Sequence, residues 1–362
     1  GELPEMNKKV GFLIMNFENG GGTERVTSVV ANGLSERGYK VSVVSCRNGE
    51  NCRFNLDDSV QLYSLHGEQI KNGAFRKLCL IRKLKDYVNN HHVDILIAVD
   101  VALYLYLWPL QKQHLCKCIA WEHFNYYIAP NKMVAFARKL AAQDADCVVV
   151  LGKSDYKNYK DHFKNIKRLE YIYNPLALDL TSVSPLKEKR VIAVGRLNQQ
   201  KGFDMLIDAW KIVESQNKEW RLDIFGEGEL KEKLQTQINE LGLKNVSLRG
   251  YAKNIENEYL NSSIFVLASR YEGFVLVLLE AQAKGLPCVS FNCKEGPSEI
   301  IDDGVNGYLV EAGNVKALAE NLLKLIESNE LREKFGSMAQ KDLYRFDIEN
   351  VMPKWERLID SL

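Results

Sequence analysis

Short continuous apolar runs alternate with stretches of helical periodicity along nearly the whole chain, as expected of parallel strands buried between helices. Val10 to Met15 reads as a first strand, three glycines follow at 20–22, and Val26, Val29, Val30 and Leu34 then recur at helical spacing until Gly38. Val41 to Cys46 is the next strand, followed by Ile95 to Val99, Cys118 to Trp121 and Cys147 to Leu151. The pattern breaks at Asn174-Pro175, passes through the charged stretch Lys187 to Arg190, and restarts. Val191 to Val194, Leu222 to Phe225, Val246 to Leu248, Ile264 to Ala268 and Cys288 to Phe291 form the second series. This predicts an α/β protein of two doubly wound, Rossmann-like parallel-sheet domains, 6–175 and 176–347, facing across a cleft at the carboxyl ends of their strands. A final helix, 348–362, carries Val351, Trp355, Leu358 and Ile359 on one face and is expected to return to the first domain.

Composition agrees with two soluble domains: 362 residues, 46% hydrophobic and 26% charged. No run approaches the roughly 18 apolar residues of a membrane span, and no basic segment followed by an apolar one opens the chain, so a cytoplasmic protein is expected. The eight cysteines are scattered without a CxxC pair and are expected to be reduced and structural. The net charge of +1 hides an asymmetry. Residues 6–175 hold 24 basic and 16 acidic residues, a net of +8, and residues 176–362 hold 24 and 29, a net of −5. An anionic partner is therefore expected for the first half. Its most basic segment, 71–90, sets Lys71, Arg76, Lys77, Arg82, Lys83 and Lys85 against Asp86 alone. These are interleaved with Phe75, Leu78, Ile81, Leu84 and Val88, which reads either as an amphipathic helix with solvated cations or as a surface for anionic membrane at the inner face of the cell membrane. No nucleic-acid partner is expected.

The candidate chemistry collects where predicted strands end. Glu272 and Glu280 straddle the turn after Ile264 to Ala268. A helix starting near Phe274 would aim its first amides at an anionic or hydroxylated ligand, while the carboxylates accept from paired hydroxyls. Arg196 and Lys201 follow Val191 to Val194, placed to neutralise a diphosphate. The 20–22 loop allows close backbone approach, yet it is not a dinucleotide fingerprint: GxGxxG would need glycine where Arg25 stands, or, from Gly226, where Lys231 stands. Glu122 and His123 follow Cys118 to Trp121, again at a carboxyl end, before Phe124-Asn125-Tyr126, which sets an imidazole and a carboxylate at the cleft rim for hydrogen bonding. Asp144-Ala145-Asp146 precedes its strand, at the wrong end for a metal site, so no metal and no cofactor are expected.

Glu272-Gly273-Phe274 with Glu280 matches the Glu-x7-Glu motif of glycosyltransferase family 4, whose members are retaining enzymes of GT-B architecture. The resemblance spans nearly the whole chain through Gly20-Gly21-Gly22-Thr23-Glu24-Arg25, Trp121-Glu122-His123, Asn174-Pro175, Val194-Gly195-Arg196 with Lys201-Gly202, Phe225-Gly226-Glu227-Gly228 and Gly296-Pro297-Ser298-Glu299. It implies a nucleotide-sugar donor, most commonly UDP-linked, held by Gly21, Gly22, Gly195, Arg196, Lys201, Tyr251, Glu272, Gly273, Phe274, Val275, Leu276 and Glu280. Arg196 and Lys201 would clamp the pyrophosphate, His123 would support the sugar, and Glu122 and Arg25 would lie on the acceptor side. The acceptor implied is a glycan, lipid-linked, in capsule or lipopolysaccharide synthesis. Val275 departs from the small residue or proline usual there and is expected to narrow the sugar pocket. A sugar-nucleotide epimerase and a non-catalytic nucleotide-sugar-binding protein are the competing readings.

Overall fold

The computed structural model describes residues 8–124, 131–176, 179–294 and 296–362. The chain divides into two compact units, Gly1–Ala177 with Arg345–Leu362, and Leu178–Tyr344. The first is built on β1 (Lys9–Ile14), β2 (Lys40–Ser45), β3 (Gln61–Ser64), β4 (Ile95–Val99), β5 (Lys117–Trp121), β6 (Cys147–Val150) and β7 (Leu169–Tyr171), all parallel, in the order β3-β2-β1-β4-β5-β6-β7. The second holds β8 (Arg190–Val194), β9 (Arg221–Phe225), β10 (Val246–Gly250), β11 (Ile264–Leu267), β12 (Cys288–Asn292) and β13 (Gly307–Glu311), also parallel, in the order β10-β9-β8-β11-β12-β13.

Burial explains which strands the sequence announces. Every residue of β4, β6 and β11 is buried, so each is a plain apolar run with helices on both faces. Three strands absent from the sequence reading, β3, β7 and β13, are all sheet edges, and β3 alternates exposed and half-buried residues over only four positions. In both sheets the chain winds outward to one edge and returns on the other side of its first strand. The reversal falls between β1 and β4 in one unit and between β8 and β11 in the other. The carboxyl ends of the strand pair at such a reversal are where ligands of open α/β sheets bind.

The final helix, Ile348–Asp360, completes the first unit. Val351, Met352, Trp355, Leu358 and Ile359 are buried, and the Trp355 ring packs edge-on against Trp121 with centroids 5.0 Å apart. Arg37 reaches Glu349 and Glu356 at 3.1 and 3.4 Å, and the Tyr39 hydroxyl donates to Asp360 at 2.6 Å. The passage between units differs from a solvated linker at one point. Arg190, read as part of it, opens β8, is 4% exposed, and bonds Asp223 at 2.6 Å and Glu258 at 2.7 Å. Its charge is buried because two carboxylates meet it there.

The basic segment forms the helix Gly73–His91. Leu80, Leu84, Tyr87 and Val88 pack on the sheet, but Phe75 and Leu78, expected on the same apolar face, are 58% and 67% exposed. They occupy the first two turns and point away from the core with Arg82. Among the described residues no helix is long and apolar enough to cross a membrane.

Candidate functional site

In the second unit the loops after β8 and β11 are tied into one structure. The Arg270 amide donates to the Gln200 carbonyl at 2.8 Å, and the Arg270 guanidinium forms two bonds to Asp204, at 2.9 and 2.6 Å. That fork holds the Asp204 carboxyl below its usual range. Gly202, at φ +63°, makes the approach possible, because a Cβ there would fall on the Ala268 carbonyl oxygen.

Within this frame Lys201 and Glu272 meet. The Lys201 Nζ donates to Glu272 Oε1 at 2.5 Å, the Ser269 hydroxyl donates to the same oxygen at 2.6 Å, and the Glu272 residue is 5% exposed. The aliphatic stem of Lys201 lies over Gly195, where a side chain would crowd it. Burial, then the charge of Glu272, pushes the neighbouring Cys293 thiol up to about 12, so it stays protonated. Arg196 is placed differently: its side chain is 71% exposed, with Glu229 at 3.6 Å. A half-buried, positioned ammonium thus stands beside an exposed guanidinium at the carboxyl end of the same strand.

The helix after β11 runs Leu276–Ala283, starting two residues beyond the predicted Phe274. Glu280 lies one turn into it and accepts from the Tyr259 hydroxyl at 3.4 Å. Gly273, Phe274 and Leu276 are half-buried, and Tyr251 is 85% exposed. Val275 is 2% exposed, its side chain packed against Gly296. The bulk that was expected to narrow a sugar pocket is taken up by packing.

In the first unit Gly21 caps the helix Gly22–Glu36 in extended backbone, and Arg25 is exposed on its first turn. The Glu24 carboxylate lies beside Gly21, supplying negative charge at the helix N-terminus. Glu122 is not available to an acceptor. It is 1% exposed and its Oε2 receives both Arg138 Nε at 2.7 Å and the Tyr159 hydroxyl at 2.6 Å, while Oε1 takes the Phe124 amide at 3.3 Å. Desolvation raises its pKa, opposed by Arg138. Glu122 therefore fixes the strand end that presents His123. The imidazole packs 4.2 Å from the Trp121 ring, with Nε2 shielded from water, and burial pulls its pKa down to about 3. It is neutral at physiological pH. Asn125 and Tyr126 lie outside the described residues. At the opposite end of β6, Asp144 binds Trp108 and Lys112, and Asp146 binds Lys167 and the Cys118 amide. Among the described residues no three His, Cys, Asp or Glu side chains group as metal ligands.

Two family models match in tandem, "Glycosyltransferase Family 4" over residues 20–180 and "Glycosyl transferases group 1" over residues 181–342. The amylovoran biosynthesis glycosyltransferase AmsD of Erwinia amylovora is 31% identical, the match covering 97% of this chain and 99% of AmsD. The chain belongs to the family 4 glycosyltransferases. Another relative of this glycosyltransferase is the GalNAc-alpha-(1->4)-GalNAc-alpha-(1->3)-diNAcBac-PP-undecaprenol alpha-1,4-N-acetyl-D-galactosaminyltransferase of Campylobacter jejuni, 26% identical over 97% of this chain and 98% of the relative. The structure of Anabaena HepE in complex with UDP aligns over 98% of the glycosyltransferase and 100% of HepE, with a TM-score of 0.80 at 20% identity. The fold is GT-B. Sequence reasoning missed Ser269, the Arg270–Asp204 fork and the Arg138–Tyr159 cradle of Glu122. Each joins residues far apart in the chain except Ser269, whose place three residues before Glu272 was the one available signal.

Proposed function

We propose that the glycosyltransferase is retaining and moves a hexosyl or N-acetylhexosaminyl group from a UDP-sugar to a hydroxyl of a lipid-linked glycan during bacterial surface polysaccharide synthesis. The Lys201–Glu272 pair carries this reading. An ammonium and a carboxylate locked together at a sheet's reversal point form a preorganised donor site: the cation faces a diphosphate, the carboxylate accepts from hydroxyls. Arg196 adds a second cation that can swing onto the phosphates. As the nucleoside diphosphate departs, these charges take up its developing negative charge, and the acceptor attacks from the face it leaves, so configuration is kept without a metal. Neutral His123 donates or accepts a hydrogen bond at the sugar without adding charge. The relatives support the substrate classes through amylovoran, an undecaprenol-linked acceptor, and UDP bound to HepE.

Two expected results test this reading. Across a panel of nucleotide sugars, the true donor raises the melting temperature, a ligand at 100 times its Kd adding about 2.7 kcal/mol. The same donor releases UDP on incubation in buffer, its glycosyl group passing to water. Stabilisation by no nucleotide sugar, or stabilisation without UDP release, refutes it. For the acceptor side, Phe75 and Leu78 stand exposed among the cations of the helix Gly73–His91, an apolar tip with a basic surround suited to anionic lipid at the inner face of the cell membrane. The protein is expected to co-sediment with vesicles containing anionic phospholipid, and a Phe75→Ser/Leu78→Ser variant to lose most of that binding at unchanged melting temperature. Equal sedimentation with neutral vesicles, or none at all, removes membrane contact from the scheme.

A further inference from the structure

Asp100 is the first residue after β4, at the point where the first sheet reverses, and its backbone sits at φ 99°, ψ 130°. Side-chain-bearing residues rarely occupy that region, and holding one there costs on the order of 1–3 kcal/mol. The fold nevertheless holds it. The Asp100 amide donates to the Trp121 carbonyl at 3.0 Å, extending the β4–β5 ladder by one residue, and the next strand end is clamped by Glu122, Arg138 and Tyr159. The Asp100 Oδ1 accepts from the Ala102 amide at 3.0 Å. Among the described residues Oδ2 takes no hydrogen bond; the residue is half-buried, and the Arg138 charge acts on the carboxylate without a direct bond among those described. Capping the short helical turn at Val101–Leu103 does not require this backbone, since a cap ordinarily sits in unstrained extended conformation. The strain serves placement of the carboxylate at the carboxyl end of the sheet, one strand over from the end that presents His123.

We propose that Asp100 is an acceptor-binding residue whose carboxylate takes a hydrogen bond from the attacking hydroxyl and orients it. This deepens the transferase reading and rests on it. The residue touches the acceptor, and no proton transfer is assigned to it.

The experiment uses the full chain with Asp100→Gly and Asp100→Asn. Water is the smallest hydroxyl acceptor, so UDP release from the stabilising UDP-sugar in buffer reads the step without an identified glycan. Glycine occupies φ 99° freely, so Asp100→Gly is expected to melt at or above the temperature of the unsubstituted protein, while kcat for UDP release falls about a hundredfold at unchanged donor KM. Asp100→Asn, which keeps an oxygen for Ala102, is expected to keep the melting temperature and to retain partial turnover. A melting temperature several degrees lower in Asp100→Gly makes Asp100 a structural cap and overturns the proposal. Unchanged UDP release from a stable Asp100→Gly overturns it equally. If the unsubstituted protein releases no UDP from any donor, the transferase reading fails, and the melting comparison still decides whether the strain stabilises the fold.

Discussion

Lys201→Ala is expected to reduce turnover by about a thousandfold, the larger part in kcat, when UDP release is followed at saturating donor. Removing one preorganised charge from a departing oxyanion costs ~3–4 kcal/mol in comparable sites. Here the loss has a second component, because the buried Glu272 carboxylate loses the ammonium that balances its charge. A modest fall in melting temperature should therefore accompany the kinetic loss. Lys201→Arg is not expected to restore activity, since a planar guanidinium fork does not reproduce the single-point contact that Lys201 Nζ makes with Glu272 Oε1. Arg196→Ala, removing an exposed side chain, should lower activity while leaving the melting temperature unchanged. Near-normal turnover in Lys201→Ala would discard the donor assignment.

The largest expected effect on stability is at Glu122. Glu122→Ala leaves the Arg138 guanidinium, 2% exposed, without its carboxylate and the Tyr159 hydroxyl without its acceptor. Breaking a buried pair from one side costs about 3–5 kcal/mol. The midpoint of urea unfolding should fall accordingly, and the variant should accumulate poorly on expression. A Glu122→Leu/Arg138→Met double variant is expected to recover much of the loss, because the two desolvation penalties leave together. If instead Glu122→Ala unfolds at the normal midpoint and loses acceptor affinity, the carboxylate faces a ligand after all.

These two sites show what a linear sequence reveals. Lys201 and Glu272 were each visible from their place after an apolar strand, since a strand's carboxyl end in an open α/β sheet is where ligands gather. Their meeting was not visible, because it depends on β8 and β11 being neighbours although two strands separate them in the chain. Glu122 misled for the same reason: its position promised a ligand, and its partners, Arg138 and Tyr159, come from two later helices. Asp100 gave no sign at all, since residue type alone does not disclose a backbone angle. Among the strands, the buried ones were legible as apolar runs and the edges β3, β7 and β13 were not, because a strand paired on one side can stay short and half polar. Phe75 and Leu78 fitted the helical period of the core face, and only the packing shows that the face ends at Leu80.

The return of the helix Ile348–Asp360 to the first unit bears on the order in which the protein can be made. The indole of Trp121 finds its Trp355 neighbour only after the whole of Leu178–Tyr344 has left the ribosome. During synthesis the second unit can therefore close on itself while the first waits without the apolar face of its last helix, Val351, Met352, Trp355, Leu358 and Ile359, leaving exposed the surface they later cover. Residues 8–176 expressed alone would lack that cover.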